Sequence, residues 1–309
     1  MNPSNNIVEI GRLSVTCYLR ASGADAESFL QGQLSSDLRL LRESKAQISS
    51  YNSPKGRMLA LPHLIRRGGD ILIELHPSVA AATLKRLRMF VLRAKVALED
   101  TSASMQALAI IGTGAAELLQ KHGLPAPTGA LESAFDAERQ ITVVRRIGTL
   151  PRYSLTGEPD QLARLPFDTT ESMDEAWRRA DIEAGVATVS TDTSDHFVPQ
   201  MANLDLLGGI SFDKGCYTGQ EIVARLHYLG QLKRRMFIAR IAGPAPAPGS
   251  EVRIADHEGA VGEIVDAVVD GTGSVASVVL QLAYAERNDL QLVDGAAVVI
   301  AGRPVESAA

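Results

Sequence analysis

Alternating apolar and polar side chains predict strands near the start of the chain, and longer apolar spacings predict helices between them. Residues 13–19 alternate with the two-residue period of a half-buried strand. Apolar residues then recur at helical spacing over 26–41. The same criteria predict further strands at 48–51, 58–65, 71–75 and 93–98, and a helix over 79–90. The first part of the chain is therefore predicted to be a mixed α+β unit.

A second set of alternating elements follows. The pattern predicts a strand over 105–111, a glycine turn and a helix over 115–121. Strands at 141–144 and 153–155 follow, and a helix over 173–184 stops at Gly185. We therefore predict an α+β fold in which residues 1–242 form two units, roughly 1–100 and 101–242, whose segments can interleave.

The C-terminal part of the chain has a different pattern. Residues 243–249, Gly-Pro-Ala-Pro-Ala-Pro-Gly, are predicted to be a linker. After it, β-branched residues dominate, glycine turns separate the segments, and there is little helical periodicity. This pattern is typical of a small all-β module, and we predict a β-barrel over 250–309.

The composition is that of a folded protein with an acidic balance. Hydrophobic residues make up 45% of the 309 positions, and the formal net charge is −5. This charge argues against a protein that coats nucleic acid through bulk charge. The first six residues lack the basic and apolar regions of a signal peptide. The most apolar late stretch, 275–285, is about half as long as a membrane-spanning helix. We therefore expect a cytoplasmic protein that does not enter a membrane.

The cysteine usage favours a reducing compartment. Cys17 and Cys216 stand far apart, and neither belongs to a Cys-x-x-Cys pair or a cluster with histidine. The six histidines are also scattered without ligand spacing, so we predict no metal site. Cys17 lies in an apolar predicted strand, which indicates a buried and inert thiol.

The strongest candidate chemistry lies in the segment Lys-Gly-Cys-Tyr-Thr-Gly-Gln-Glu at 214–221. Two glycines flank Cys216 and permit a tight turn with a close backbone approach to a ligand. Lys214 supplies a nearby positive charge, and the predicted helix over 220–226 directs its positive end toward the thiol. Both features favour the thiolate. We assign Cys216 as a functional thiol with Lys214 beside it; the alternative is a structural cysteine in a glycine turn.

With this motif the chain resembles the YgfZ family, the folate-binding relatives of the glycine-cleavage aminomethyltransferase. The family signature Lys-Gly-Cys-Tyr-x-Gly-Gln-Glu is complete here, with Thr218 at the variable position. Further matches lie at 197–204 and 207–212, and weaker ones at 29–34, 55–57 and 182–185. The resemblance thus covers most of the chain.

The resemblance implies a ring-like protein with the aminomethyltransferase-like fold: two α+β units and a small C-terminal β-barrel around a cavity for tetrahydrofolate or a derivative. It also implies support for the maturation or repair of iron–sulfur proteins, including those that methylthiolate tRNA, with the motif cysteine essential. The partners we expect are a reduced folate and iron–sulfur client or assembly proteins. We expect no direct binding to tRNA.

The folate-contacting residues are assigned from the same resemblance. Trp177 precedes the Ile-Glu-Ala-Gly match and is expected to line the folate site. A pterin needs an aromatic face and a carboxylate acceptor, and Glu183 supplies the carboxylate. The other residues assigned to the folate are Gln200, Asn203, Tyr217 and Arg225. A second family tryptophan has no counterpart in the first strand, where Tyr18 is the candidate replacement.

Three functional hypotheses follow from these residues. The first is the folate-binding accessory protein, in which Cys216 acts as nucleophile, redox thiol or cluster ligand. The second is a tetrahydrofolate-dependent aminomethyltransferase. It lacks an evident acid, because apolar side chains occupy 58–60, where the transferases carry carboxylates. The third is a nucleic-acid-binding module that uses Arg225 and 233–235; the acidic net charge and the absence of aromatic–basic interleaving argue against it.

Overall fold

The computed structural model describes residues 7–169 and 171–302. The predictions about residues 1–6, including the missing signal peptide, lie outside the described residues, as does the end of the predicted barrel at 303–309. The chain divides into two compact units. Unit 1 comprises Met1–Phe29, Leu38–Gln47 and His63–Trp177, and unit 2 comprises Leu30–Asp37, Ile48–Pro62 and Arg178–Ala309. The units interleave and do not divide near residue 100, because two short early segments pack with the C-terminal part of the chain.

The strands and helices are numbered in chain order. The strands are β1 (Glu9–Leu13), β2 (Cys17–Ser22), β3 (Gln47–Ile48), β4 (Tyr51–Asn52), β5 (Met58–Ala60), β6 (His63–Arg67), β7 (Asp70–Leu75), β8 (Ala97–Asp100), β9 (Gln106–Ile111), β10 (Ser133–Asp136), β11 (Ile141–Arg145), β12 (Arg152–Gly157), β13 (Arg234–Ala242), β14 (Glu251–Arg253), β15 (Gly262–Asp270), β16 (Gly273–Gln281), β17 (Gln291–Leu292) and β18 (Val298–Gly302). The α-helices are α1 (Ala26–Gln31), α2 (Pro77–Arg88), α3 (Ala115–Lys121), α4 (Pro159–Leu162), α5 (Asp174–Glu183) and α6 (Gln220–Tyr228). Single 3-10 turns lie at Leu38–Leu40, Pro199–Ala202 and Leu282–Tyr284.

Unit 1 contains two antiparallel sheets. One has the strand order β1-β9-β12-β11-β10, and its buried residues Leu108, Ile110 and Val143 pack with Leu119 of α3. The strands of the other sheet that lie within unit 1 follow the order β6-β7-β2-β8. The alternating pattern of 13–19 covers parts of two strands rather than one, since β1 ends at Leu13 and β2 begins at Cys17.

Unit 2 contains the β4–β5 hairpin, helix α6 and a six-stranded sheet in the order β17-β14-β15-β16-β13-β18. This C-terminal sheet curls into a half-barrel. It begins before the Pro- and Gly-rich segment at 243–249, because β13 pairs along its length with β16 and also with β18. The module therefore includes nine residues that the sequence pattern placed outside it.

The helix expected over 26–41 ends at Gln31. After it, the chain forms polar contacts in place of helical ones: the Ser35 hydroxyl donates to the carbonyl of Gly209 at 2.6 Å and accepts from the backbone N–H of Ser50 at 2.8 Å. Leu34 and Leu38 are still buried. The segment is irregular, but its buried leucines are spaced four residues apart as in an amphipathic helix, which is why the pattern predicted one.

Helix α5 matches its predicted bounds closely, and Gly185, just after its end, adopts a φ of 68°, as expected of a glycine that stops a helix. The boundary between the two units falls within this helix, after Trp177. Within residues 7–169 and 171–302, no helix is long and apolar enough to cross a membrane.

Candidate functional site

Two glycines allow the motif loop to lie directly against a neighbouring turn of unit 2. Gly219, at φ 81°, precedes α6, and a Cβ atom there would lie 2.5 Å from the carbonyl oxygen of Ser53. Gly56, at φ 71°, faces it, and a Cβ atom there would lie 2.7 Å from the Cβ of Ile222. Both positions therefore require glycine. The fold thus brings the weak match at 55–57 and the signature at 214–221 into contact.

Lys214 anchors the start of the loop. Its ammonium donates to the carbonyl oxygens of Gln31 at 2.8 Å, Leu34 at 2.7 Å and Ser36 at 2.6 Å, and the residue is only 6% exposed. The Nζ atom also lies 5.2 Å from the centre of the Tyr217 ring, a cation–π distance. We therefore interpret Lys214 as an anchor of the loop rather than as a reacting group.

Cys216 is exposed on this anchored loop. Tyr217, the next residue, is buried, and burial raises the pKa of its hydroxyl to about 12. The other neighbour, Gly215, faces open space. The buried side chains of Lys214 and Tyr217 hold the backbone before and after Cys216, so the loop presents the thiol to solvent.

Gln200 and Asn203 form hydrogen bonds to the elements that follow the motif loop. The Nε2 of Gln200 donates to the carbonyl of Val223 in α6 at 2.7 Å. Asn203, in a left-handed conformation at φ 61°, donates to the carbonyl of Met236 and accepts from Arg235. Both residues are buried, whereas Arg225 is exposed on α6. Among the described residues, the Oε1 of Gln200 has no hydrogen-bond partner, so it remains available as an acceptor.

Trp177 lies in unit 1 and is 4% exposed. The guanidinium groups of Arg146 and Arg152 lie 5.6 Å and 5.0 Å from the centre of its ring system. The indole therefore already makes cation–π contacts. Glu183, six positions later on α5, is exposed, and an ideal helix places the two side chains about 120° apart. The helix does not direct both side chains to the same side.

A buried polar network in unit 1 surrounds this tryptophan's partner Arg146. Arg146 forms an ion pair with Glu74 at 2.5 Å and donates to the hydroxyl of Ser154 at 2.9 Å. The Tyr18 hydroxyl donates to the same Glu74 carboxylate at 3.0 Å and lies 3.1 Å from the hydroxyl of Thr156. Tyr18 is fully buried in this network.

The charges of the network shift the pKa values of its members. Burial alone would raise the pKa of Glu74, but Arg146 and neighbouring hydrogen bonds hold it below its ordinary value. His63 pairs with Glu74 across β6 and β7. Burial and then the charge of Arg146 lower the pKa of His63 to about 3, so its ring is neutral. A single carboxylate inside the apolar strand at 71–75 was the one sequence signal of this network.

No family model matches the chain. It is similar to proteins named tRNA-modifying protein YgfZ from several bacteria. The relative from Yersinia enterocolitica is 30% identical over 299 residues, which cover 92% of this chain and 88% of the relative. The relative from Edwardsiella ictaluri is 31% identical over 260 residues, 79% of this chain and 76% of the relative. That from Photorhabdus laumondii is 32% identical over 239 residues, 75% and 71%.

Among solved structures, the glycine cleavage system aminomethyltransferase T from Bartonella henselae is similar in fold. The TM-score is 0.77, and the match covers 96% of this chain and 86% of that one at 17% sequence identity. At this identity the likeness concerns the fold alone. It confirms the aminomethyltransferase-like α+β fold predicted from the sequence.

Proposed function

Because the chain belongs to the YgfZ family of tRNA-modifying proteins, we propose that it binds a reduced folate and supports tRNA modification, with Cys216 as the functional thiol. The observation that carries this proposal is the motif loop itself. It is complete in sequence, it is anchored internally through Lys214, and it exposes the thiol. A thiol that is exposed on a loop anchored by buried neighbours, here Lys214 and Tyr217, has the accessibility expected of a reacting group.

We propose tetrahydrofolate or a derivative as the cofactor, with Trp177 and Glu183 of α5 as its main contacts. The exposed Glu183 carboxylate can accept hydrogen bonds from the amino and ring N–H groups of a pterin. The indole of Trp177 supplies an aromatic edge or face beside two guanidinium groups. When bound, the folate would supply one-carbon or redox chemistry.

We propose an accessory factor rather than an aminomethyltransferase. The stretch that matches the acidic segment of the transferases is β5 with its flanking turn, and its side chains are Met58, Leu59 and Ala60. Met58 and Ala60 are buried in the apolar interior. None of the three can accept a proton from a substrate amine, so that step has no base there.

The finer parts of the role are also proposals. The clients we propose are iron–sulfur enzymes, including those that methylthiolate tRNA, and the proposed location is the cytoplasm, where tRNA is modified. Cys216 would act on such a client as nucleophile, redox thiol or one ligand of a shared cluster. A cluster usually takes about four cysteine ligands, so the client or a small thiol would have to provide the others.

Complementation of a deletion strain tests the function. We expect the parent protein and Cys17→Ala to restore tRNA methylthiolation, measured by mass spectrometry of digested tRNA, and Cys216→Ala to fail at equal protein level. Full restoration by Cys216→Ala would refute the role of the thiol. Folate binding is measured separately on the purified protein, through saturable quenching of the single tryptophan. Trp177→Phe has no tryptophan fluorescence and serves as the control, with its folate affinity measured by calorimetry.

A further inference from the structure

Three aromatic side chains that are separate in sequence form one surface cluster in unit 2. The rings of Phe212 and His227 are stacked, with centroids 3.7 Å apart and planes 12° apart. Tyr228 meets His227 edge-on at 4.7 Å and is 61% exposed. Leu229, which follows it, is 84% exposed. An exposed cluster of this kind, next to the loop that carries Cys216, marks an interaction surface.

Unpaired cations accompany the rings. Arg225 lies three positions before Tyr228 and therefore on the same face of α6. Lys233 and Arg234 follow the helix after a short connection. Within the part of the chain that the structure describes, no carboxylate pairs with any of these three cations. The next residue, Arg235, shows the contrast, because Asp205 holds its guanidinium at 2.9 Å.

The local charge departs from that of the whole chain, whose formal net charge is −5. Residues 212–234 carry two exposed acids, Asp213 and Glu221. The unpaired cations of the same segment are Arg225, Lys233 and Arg234, so positive charge is in excess. Lys55, exposed in the turn packed against Gly219, adds another positive charge at the start of α6. The surface is therefore complementary to a short anion rather than to a long polyanion.

We propose that the surface formed by Phe212, Arg225, His227, Tyr228, Lys233 and Arg234 binds a short single-stranded segment of RNA beside Cys216. The exposed rings of His227 and Tyr228 offer surfaces for unpaired bases, and unpaired arginine and lysine side chains neutralise the phosphates between them. The choice of RNA as the anion rests on the proposed function, the support of tRNA modification. A purely apolar helix face would have favoured a protein partner, but here Arg225 lies on the same face of α6 as Tyr228.

Binding of RNA at this surface differs from the expectation, drawn from the sequence, that the protein does not bind tRNA directly. The sequence shows no interleaving of aromatic and basic residues, because Phe212 is fifteen positions from His227. Only the fold stacks the two rings and places Arg225 and Tyr228 on one face beside them.

The C-terminal sheet offers a matched control. The exposed His257 and the half-buried Tyr284 form another histidine–tyrosine pair, with centroids 5.4 Å apart and a hydroxyl-to-Nδ1 distance of 3.3 Å. Acids flank this pair in the sequence, namely Asp256, Glu258 and Glu286. The same ring types thus occur beside carboxylates. Bases could stack on these rings, but the negative charges would repel the phosphates of an RNA.

The experiment measures fluorescence anisotropy of a labelled single-stranded RNA of about ten nucleotides with the full-length protein, a length suited to one such surface. Tyr228→Ala should weaken binding at least about fivefold, the lower end of the loss of one base stack. Arg225→Gln and Lys233→Gln should each weaken binding and reduce the slope of log affinity against log salt by roughly 0.7. Tyr284→Ala should bind as the parent does.

Three outcomes would overturn the assignment. Equal affinity of Tyr228→Ala and the parent would remove the stacking role, as would equally tight binding of an RNA duplex, whose bases are already stacked. A parent protein that does not bind the RNA, while the same variants lose tRNA modification in cells, would give this surface to a protein partner. Folate quenching is recorded on the same samples: RNA binding without folate binding would contradict the proposed function alone, and folate binding without RNA binding would contradict the RNA surface alone.

Discussion

The ammonium nitrogen of Lys214 lies 2.7 Å from the carbonyl oxygen of Leu34, 180 positions earlier in the chain. Two further carbonyls, of Gln31 and Ser36, complete the contacts that hold this cation in the interior. A lysine inside a chemically suggestive motif is easily taken for a catalytic charge. Here its charge is used to satisfy the carbonyl oxygens of an irregular segment, and Cys216 is the exposed thiol of the motif.

Replacement of Lys214 by methionine should therefore lower the stability of the protein. The change leaves three carbonyl oxygens without their charged donor, and we expect the free energy of unfolding to fall by roughly 3 kcal/mol. Urea denaturation followed by circular dichroism measures this loss. The exposed Lys233→Met is the matched control and should change stability by less than about 0.5 kcal/mol. A Lys214→Met protein that is as stable as the parent but inactive in cells would restore the lysine to the chemistry.

The half-buried His63 predicts a pH dependence of stability. Its pKa is lowered from 6.5 in the unfolded chain to about 3 in the folded protein. As the pH falls below 6.5, the unfolded chain takes up a proton that the folded state refuses, so the folded state loses stability. This group should contribute a loss of about 2 kcal/mol between pH 7 and pH 5.

The same measurement on His63→Gln isolates that contribution, because glutamine does not titrate. The unfolding free energies of parent and variant, determined at several pH values, should differ in slope over this range, with the parent falling more steeply toward acid. Parallel curves would show that the His63 ring takes up its proton with the same pKa in the folded and unfolded states.

Elements with a clear period were predictable from the sequence, and those shaped by distant contacts were not. The strand at 105–111 and the helix at 173–184 appear as β9 and α5, shifted by one residue at most. The helix over 26–41 fails after Gln31, because serine and carbonyl groups there bond to residues more than 170 positions away. No local pattern encodes those partners.

The candidate site divides in the same way. The motif at 214–221 identified the loop and its thiol, because glycine spacing and residue type are local properties. The network of Tyr18, Glu74 and Arg146 could not be predicted, since its members are 56 and 72 positions apart. Tyr18 and Glu74 are partners across β2 and β7, and Arg146, the residue after β11, reaches Glu74 from the other sheet of unit 1. The stacking of Phe212 on His227 is a further product of tertiary structure.

The buried pair of Arg146 and Glu74 should show strong coupling in a double-mutant cycle. Arg146→Met leaves the Glu74 carboxylate buried without its counter-charge, and we expect a loss of about 3–5 kcal/mol in unfolding free energy. Adding Glu74→Gln removes the orphaned charge and should recover part of that loss, because a neutral amide costs less to bury. Denaturant titrations of the parent, both single variants and the double variant provide the cycle. Strict additivity of the two single losses would mean that the ion pair does not stabilise the fold.

The two thiols should differ sharply in reactivity. Cys17 is 7% exposed, and burial raises the pKa of its thiol from 9.0 to about 11, so at pH 8 it is both inaccessible and protonated. Cys216 is exposed on its anchored loop. Iodoacetamide at pH 8 should therefore modify the native protein once, at Cys216, and modify Cys17 only after denaturation. Intact-mass spectrometry over time, with peptide mapping, measures both rates.

Cys17→Ala should still take up one label in the native state and Cys216→Ser none. The labelled protein should retain its melting temperature, because an exposed thiol contributes little to packing. Equal rates for the two native thiols, or a labelled protein that unfolds, would contradict the placement of Cys216 as the exposed, reactive cysteine of the chain.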